Sequence, residues 1–533
     1  MEPAPPDGGE PKEDLTEQRF KLYEETDIES EPLVARDEDI DGSLKAIRRP
    51  WWHLPILPLL ILSEWLARLS DAFGSRFVFA VIIVYGISQG IGEMVGEFNS
   101  KYYWKDVMRV SPAESQLYNS LPDLPWDIKP LWGLLTDSFP IAGSHTRSWI
   151  AITSVLGVFC WGTVAAVRLP KGLAAIALVG TNVAMALPDV ATDAAVAMRS
   201  RAKPQFAADL QSLTWGTLAV GSLIGMAFSG PAVHYLGSRG TFALLSGAPA
   251  LTLLAAWALP EPKAATNQKG GFARVWHSLR LFFGAMRDPR LWQPALYIYL
   301  SQALCPDITE AKFYWLTDKT GTGPGFSENF LGFLATVGNL AMLAGVLAYN
   351  WYLKDQPFRR VFLWAQVTLV ITGMLDLILV TRLNQRFGIP DHAFVVGDEA
   401  VQDAIDNLRM VPMQVLAARL CPPGIEGTLF AFLMSLSNAG ANTAELLGAG
   451  LIKVLGVTST NFSNLWLAVT IRSLMKLLPI VFLFLVPDAS PTSDFGVVGG
   501  GKGIPRDSDS GVDLTVMPLS SEGRVDDRPR TPR

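Results

Sequence analysis

Carboxylates recur at helical spacing in a chain that otherwise avoids charge. Asp189 and Asp193 follow Pro188 four residues apart. Asp123 and Asp127 repeat the spacing among Pro122, Pro125 and Pro130, with Lys129 two residues on. Gln89 and Glu93 stand in the same relation beside Gly86 and Gly90, and Gly397-Asp398-Glu399 opens a run through Asp403, Asp406 and Arg409. Residues four apart share one face of a helix. A charged group at membrane depth is costly unless it pairs, meets a ligand or carries a proton. Asp127 and Lys129 point to roughly opposite sides of a continuous helix, so each requires a partner on another helix or a ligand. Asp189 and Asp193 read as groups along a transport path, Glu93, Asp398 and Glu399 as further path groups, and Arg199 as a gate or anchor beyond them.

The elements that must hold these residues follow from composition. Of 533 residues 49% are hydrophobic and 18% charged, against about a quarter charged in soluble proteins. Mean hydropathy is +0.26. These values exclude disorder for most of the chain, and they speak against one soluble core, since cores stop growing near about 250–300 residues. Cys160, Cys305 and Cys421 are too far apart for a metal or redox set and read as small buried hydrophobes. Apolar windows fall at 75–98, 113–136, 148–168, 172–198, 207–235, 240–259, 291–316, 328–351, 359–381, 394–420, 425–453 and 463–486, each long enough to cross about 30 Å of hydrocarbon. The expected fold class is an all-α membrane protein of about twelve transmembrane helices. The second, seventh and tenth windows are weakly apolar because they carry ionisable groups, as windows lining an aqueous path do.

Residues 1–50 are an acidic tail that cannot bury enough to fold alone. The tail lacks the composition of a transit peptide, and Glu29-Ser-Glu-Pro-Leu33-Val34 resembles an acidic dileucine sorting signal. Residues 51–73 read as an interfacial helix. Residues 74–259 would form one six-helix half and 291–487 the other. Between them 260–290 is a basic loop, cytoplasmic by the positive-inside rule, which puts both tails in the cytoplasm. Lys101, Lys105 and Arg109 fall on the opposite side. The sequon Asn461-Phe462-Ser463 falls in a short outer loop, and 488–533 reads as a disordered tail. A shift of 219 residues pairs Leu210 with Leu429, Gly221 with Gly440 and Leu236-Gly237 with Leu455-Gly456, consistent with two pseudo-symmetric halves.

Gly133-x-Leu135-x-Asp137 followed by Arg147 resembles the loop signature of the major facilitator superfamily, and Asp355 with Arg359-Arg360 occupies the matching place in the second half. Such charges would latch helix ends in one conformation and release them in another. Two motifs mislead. Gly86-Ile-Ser88-Gln-Gly90 fits a nucleophile elbow but lies in an apolar helix with no mid-span histidine. Gly496 to Lys502 approaches a phosphate loop but lacks its Ser/Thr and a preceding strand. The chain therefore reads as no enzyme and no ATP-driven pump, with no cofactor and no metal. Trp126 and Trp215, within spans, could stack on a flat ligand.

Tyr102-Tyr103-x-Lys105-Asp106, Ser111-Pro-Ala113, Pro125-Trp-x-x-Lys129-Pro-x-x-Gly133, Asp137, Asp189-x-x-x-Asp193, Gly397-Asp398-Glu399, Cys421-Pro-Pro-Gly-x-Glu426-Gly and Asn438-x-Gly440 together resemble the folate–biopterin transporter family, a branch of the major facilitator superfamily. The resemblance runs over residues 74–487 in order and stops at the tails. It implies a secondary active transporter, and the acidic tail with its dileucine-like segment points to the plasma or vacuolar membrane rather than the plastid envelope. It further implies a folate or pterin as substrate, a proton as coupling ion and a monomer. On that resemblance Asp189 or Asp193 would accept the pterin's donor pair, Lys129 would meet the glutamate carboxylates of folate, with Asp127 nearby, and Trp126 and Trp215 would stack on the ring. Glu93, Asp398 or Glu399 would carry the coupling proton. Two other readings stand beside it: a facilitator-type transporter of a different organic solute or anion, and a membrane receptor that kept the fold.

Overall fold

A computed structural model describes residues 57–259, 276, 280, 284, 286–421 and 426–490. The acidic tail with its dileucine-like segment, most of the basic central segment and the C-terminal tail from 491 lie outside the described residues. Within them every named element is helical, and the one extended feature is an isolated bridge between Ile141 and Ser144. α1 spans Leu57–Phe73 and α2 Ser75–Val107, the latter widened by π turns at Ile82–Glu93 and Tyr103–Val107. Then come α3 (Pro112–Ser120), α4 (Leu124–Asp127), α5 (Lys129–Ser138), α6 (Arg147–Ala166), α7 (Lys171–Ala202), α8 (Ala207–Leu245) and α9 (Gly247–Ala258). The second part holds α10 (Pro289–Ala303), α11 (Thr309–Leu316), α12 (Glu328–Ala348), α13 (Phe358–Gly373), α14 (Leu375–Val380), α15 (Asp391–Leu420), α16 (Glu426–Val454) and α17 (Leu465–Met475).

Among the described residues seven continuous stretches are long and apolar enough to cross a membrane. One of them, Pro204–Trp257, joins two expected windows across Gly237, where φ is 66° and the helix kinks. The second window is not one helix. Pro122, Pro125 and Pro130 each remove a donor, and Ile128 (φ −108°, ψ 21°) breaks the chain between Asp127 and Lys129. Asp123 ends a 3-10 turn and Asp127 ends the short helix that follows it, so the break comes after both and parts them from Lys129. The seventh window is likewise two pieces, α10 and α11, on either side of Pro306.

The 219-residue pairing has a structural counterpart. Leu210 and Leu429 are both fully buried. A Cβ at Gly221 would overlap the Gly86 backbone of α2, and one at Gly440 would lie 2.6 Å from the Tyr299 carbonyl of α10. Gly237 and Gly456 share a left-handed φ, 66° and 67°. The same offset thus relates the α2–α8 contact to the α10–α16 contact. Large apolar side chains such as Phe159, Ile176 and Val454 stay exposed, as lipid-facing positions do.

Residues before 259 meet residues after 286 most closely at one end. There Phe98, Tyr102 and Val233 share an apolar cluster with Ile308, Phe313, Tyr314, Trp315 and Leu331. At the α8–α12 crossing, a Cβ on Gly332 would lie 2.7 Å from the Gly230 nitrogen, so two glycines permit the approach. Lys105 donates to Thr317, Tyr314 donates to the Val110 carbonyl, and His234 stands 3.4 Å from Glu328. This end is sealed.

Candidate functional site

Below that seal lies a cavity of about 410 Å³. Its walls come from α2, the broken second window, α6, α7, α11 and α16. Six carboxylates reach it: Glu93 and Glu97 of α2, Asp123, Asp307, Glu310 and Glu445. Lys101 is the one basic residue among the described lining residues, and it pairs with Glu97 at 3.1 Å, one turn away on the same helix. The amides of Gln116, Asn119, Asn182, Asn438 and Asn442 add donors and acceptors, and Trp126 and Trp161 add flat faces. Like charges crowded in one poorly solvated space repel strongly, so such a cavity favours protons, cations or ligands rich in N–H donors.

The helical breaks position these groups. Trp126 sits in the short α4, and its indole donates to Asn182 of α7 at 2.9 Å. The break at Ile128 turns Lys129 away from Asp127, as each required. Lys129 pairs with Asp189 at 2.5 Å, with its ammonium 4.7 Å from the Trp126 ring centre. Asp127 accepts from Asn442 of α16 at 2.6 Å. Behind Trp126, Gln89 donates to Asp189 at 2.6 Å and Tyr85 donates to Asp193. Asp189 and Asp193 do share a face of α7, and Pro188 leaves that helix continuous. Of the expected path and substrate residues, Trp126 and Glu93 line the cavity. Lys129, Asp127, Asp189 and Asp193 are instead joined to neighbouring helices just outside it. Trp215 is 63% exposed on the outer surface of α8 and does not line the cavity.

Asp398 and Glu399 lie in a second network, away from the cavity. Lys312 of α11 is 2.5 Å from Asp376 and 3.8 Å from both Asp398 and Glu399. Arg472 of α17 pairs with Asp376 at 3.1 Å, and Gln402 donates to Asp398 at 2.8 Å. Further along α15, Arg409 pairs with Asp406 and donates to Gln302, both at 2.8 Å.

The latch residues fare differently. Arg359 donates to the carbonyls of Val486 and Phe484 at 2.6 and 3.2 Å, closing the end of the last helix, while Asp355 sits in an exposed turn. The structure does not join Asp355 to Arg359. Arg199 is buried, 4.1 Å from the Phe77 ring centre, with a hydrogen bond to the Ala195 carbonyl. Arg147 lies 5.8 Å from the Trp257 ring centre. The Asp137 side chain lies outside the described residues.

Several site residues had a signal that went unused. Glu310 and Lys312 are what weakened the seventh window. Asp376 and Arg472 are isolated charges in strongly apolar stretches, and Glu445 is the acidic residue deep in the eleventh. Lys101 was grouped with loop charges, although its pairing with Glu97 places it in the cavity wall.

The sequence profile of the BT1 family matches residues 89–498. A relative from Arabidopsis thaliana called probable folate-biopterin transporter 2 is 42% identical over 426 residues, covering 80% of this chain and 85% of its own length. The folate-biopterin transporter of Synechocystis sp. is 35% identical, covering 77% and 82%. Among solved structures, the nucleoside transporter NupG superposes with a TM-score of 0.58 at 13% identity, covering 77% of this chain and 97% of that one. That likeness carries the major facilitator fold. The named relatives are transporters, and none is an enzyme.

Proposed function

The chain belongs to the BT1 family of membrane transporters, and from that premise we propose that it moves folates or pterins across a membrane by alternating access, driven by protons. The observation that carries the reading is the polar cavity between residues before 259 and residues after 286, closed at one end by the contacts of Phe313, Tyr314 and Thr317. Its volume lies within the range of about 300–1,000 Å³ typical of small-molecule sites. A pterin ring is flat and presents a 2-amino group beside a ring N–H. Trp126 and Trp161 offer it faces, and the cavity carboxylates and amides offer acceptors for its donor edge. Lys129 and Asp189, tied together behind Trp126, fix that ring and stay available to a ligand only if their pair opens. Glu93 in the cavity, and Asp398 with Glu399 beside Lys312, are the groups proposed to carry the coupling proton.

Twelve crossings in two six-helix halves, cytoplasmic tails, a monomeric state and residence in the plasma or vacuolar membrane belong to the same proposal. They rest on the spacing of the apolar windows, the basic central segment and the 219-residue pairing. A second reading has its own observation. Six carboxylates against one lysine suit an organic cation better than the anionic tail of folate.

The test is uptake of radiolabelled folic acid, folinic acid and a bare pterin into a transport-deficient host, at acid and at neutral pH, with an organic cation as competitor. Saturable pterin or folate uptake, faster at acid pH, supports the proposal. Uptake of neither from verified membrane-embedded protein overturns the substrate, and inhibition by the cation alone moves it to the second reading.

A further inference from the structure

One residue collects more of the hydrogen bonds between the two parts of the chain than any of its neighbours. Glu310, at the start of α11, is 2% exposed and lines the cavity. Its Oε2 accepts from the Ser115 hydroxyl at 2.7 Å, its Oε1 accepts from the Asn119 amide at 3.0 Å, and its backbone N–H donates to Gln116 Oε1 at 3.1 Å. Ser115 and Asn119 are four apart and share a face of α3. That helix starts from a fixed point, because Ser111 and Glu114 form a reciprocal capping box. One turn beyond Glu310, Phe313, Tyr314 and Thr317 make the seal with Tyr102, Val110 and Lys105. The sealed end cannot part without moving α3 from α11, which breaks all three bonds and strips a buried carboxylate of its donors.

We propose that Glu310 is the positioning residue that latches the sealed end of this transporter, and that a donor-bearing ligand in the cavity releases the latch by taking over its carboxylate. The residue whose oxygens hold Ser115 and Asn119 is also part of the cavity wall. A ligand N–H that reaches those oxygens compensates the buried charge while α3 leaves. Occupancy and opening are then coupled through one side chain. The inference rests on the transport reading, but its first test needs no substrate.

Spin labels are placed at Val107→Cys and Thr320→Cys, on the two sides of the sealed end, in full-length protein whose Cys160, Cys305 and Cys421 are replaced by alanine. Their distance distribution is measured in liposomes by pulsed electron resonance. The unsubstituted latch should give mainly a short distance. Glu310→Ala should raise a longer-distance population relative to the short one by at least about tenfold, the shift expected for one lost charge-assisted hydrogen bond. Ser115→Ala with Asn119→Ala should do the same, and adding Glu310→Ala to that pair should open the end no further. Glu310→Gln keeps an acceptor for Asn119 and a donor for Ser115, so it should return the distribution towards the short distance. An unchanged distribution in monodisperse Glu310→Ala protein overturns the proposal. So does a combined variant that opens well beyond either parent, or a glutamine variant as open as the alanine one. Failed folate or pterin uptake with these distance changes intact would remove the substrate and keep the latch.

Discussion

Lys129 shows what a buried charge demands of its surroundings. Its partner is Asp189 at 2.5 Å, and Gln89 satisfies the second oxygen of that carboxylate. Removing one member of a buried pair leaves the other uncompensated, which costs about 3–5 kcal/mol. Lys129→Ala should therefore lower the thermal stability of purified protein by about that amount, and adding Asp189→Asn should recover much of it. If the double variant regains stability but not uptake, the pair also serves the ligand; regained uptake would make it structural. The same logic marks Lys312, which faces Asp376, Asp398 and Glu399 together. Lys312→Ala should cost at least about 3 kcal/mol in the same melt, with Arg472 left as the remaining cation on Asp376. Both lysines were visible as charges in apolar windows. Their partners were not, since they lie on helices 60 or more residues away in sequence.

At the scale of the element, backbone approach decides more than side-chain chemistry. Gly221 on α8 meets Gly90 and Gly86 on α2 so closely that a Cβ on Gly90 would stand 2.7 Å from the Gly221 Cα. Gly221→Val should abolish folded, monodisperse protein in size-exclusion chromatography, whereas Gly216→Val, on the same helix with open space around it, should be tolerated. The 219-residue offset takes Gly221 to Gly440, where valine should fail as well, whereas Gly450, on the same helix as Gly440 with open space around it, should accept one. The loop after α11 gives a pH-dependent case outside the membrane. Burial pushes Asp318 up, but hydrogen bonds from Thr322, Thr320 and Gly323 outweigh it and hold its pKa at about 2. A folded pKa below the unfolded value of about 3.9 adds stability that is complete above that value and lost as pH falls towards 2. Hydrogen-exchange protection of the Thr320 and Gly323 amides should fall across that window, and Asp318→Asn should remove the dependence.

For the whole molecule, the proposed selectivity rests on the balance of charge in the cavity. Six carboxylates and one lysine oppose an anion and welcome donors. The bare pterin should be taken up with a lower KM than folic acid, by at least several-fold, and the gap should narrow in Glu97→Gln protein, where Lys101 loses its pairing partner's charge. Glu93→Gln should flatten the acid stimulation of uptake while leaving membrane expression unchanged; a persisting pH response would move the coupling proton elsewhere, with Asp398→Asn as the next variant to measure.

The apolar windows, the charges embedded in them and the glycine spacing are local properties, and so the all-helical membrane fold and the family could be read from residue order. The same holds for the pairing of Gly237 with Gly456, since a left-handed turn is a property of one residue and its neighbours. Which carboxylates face one another is not local. That Lys129 and Gln89 meet Asp189, and Tyr85 meets Asp193, could not be read from residue order. Glu310, Asp307 and Glu445 came to the cavity wall only because α11 and α16 pack against α3 and α4. Three prolines lie in the second window, yet it reads as one helix, and the break at Ile128 is seen only in the folded chain. Burial makes an unpaired charge too costly to keep, so the final partners are those that the folded helices bring within reach.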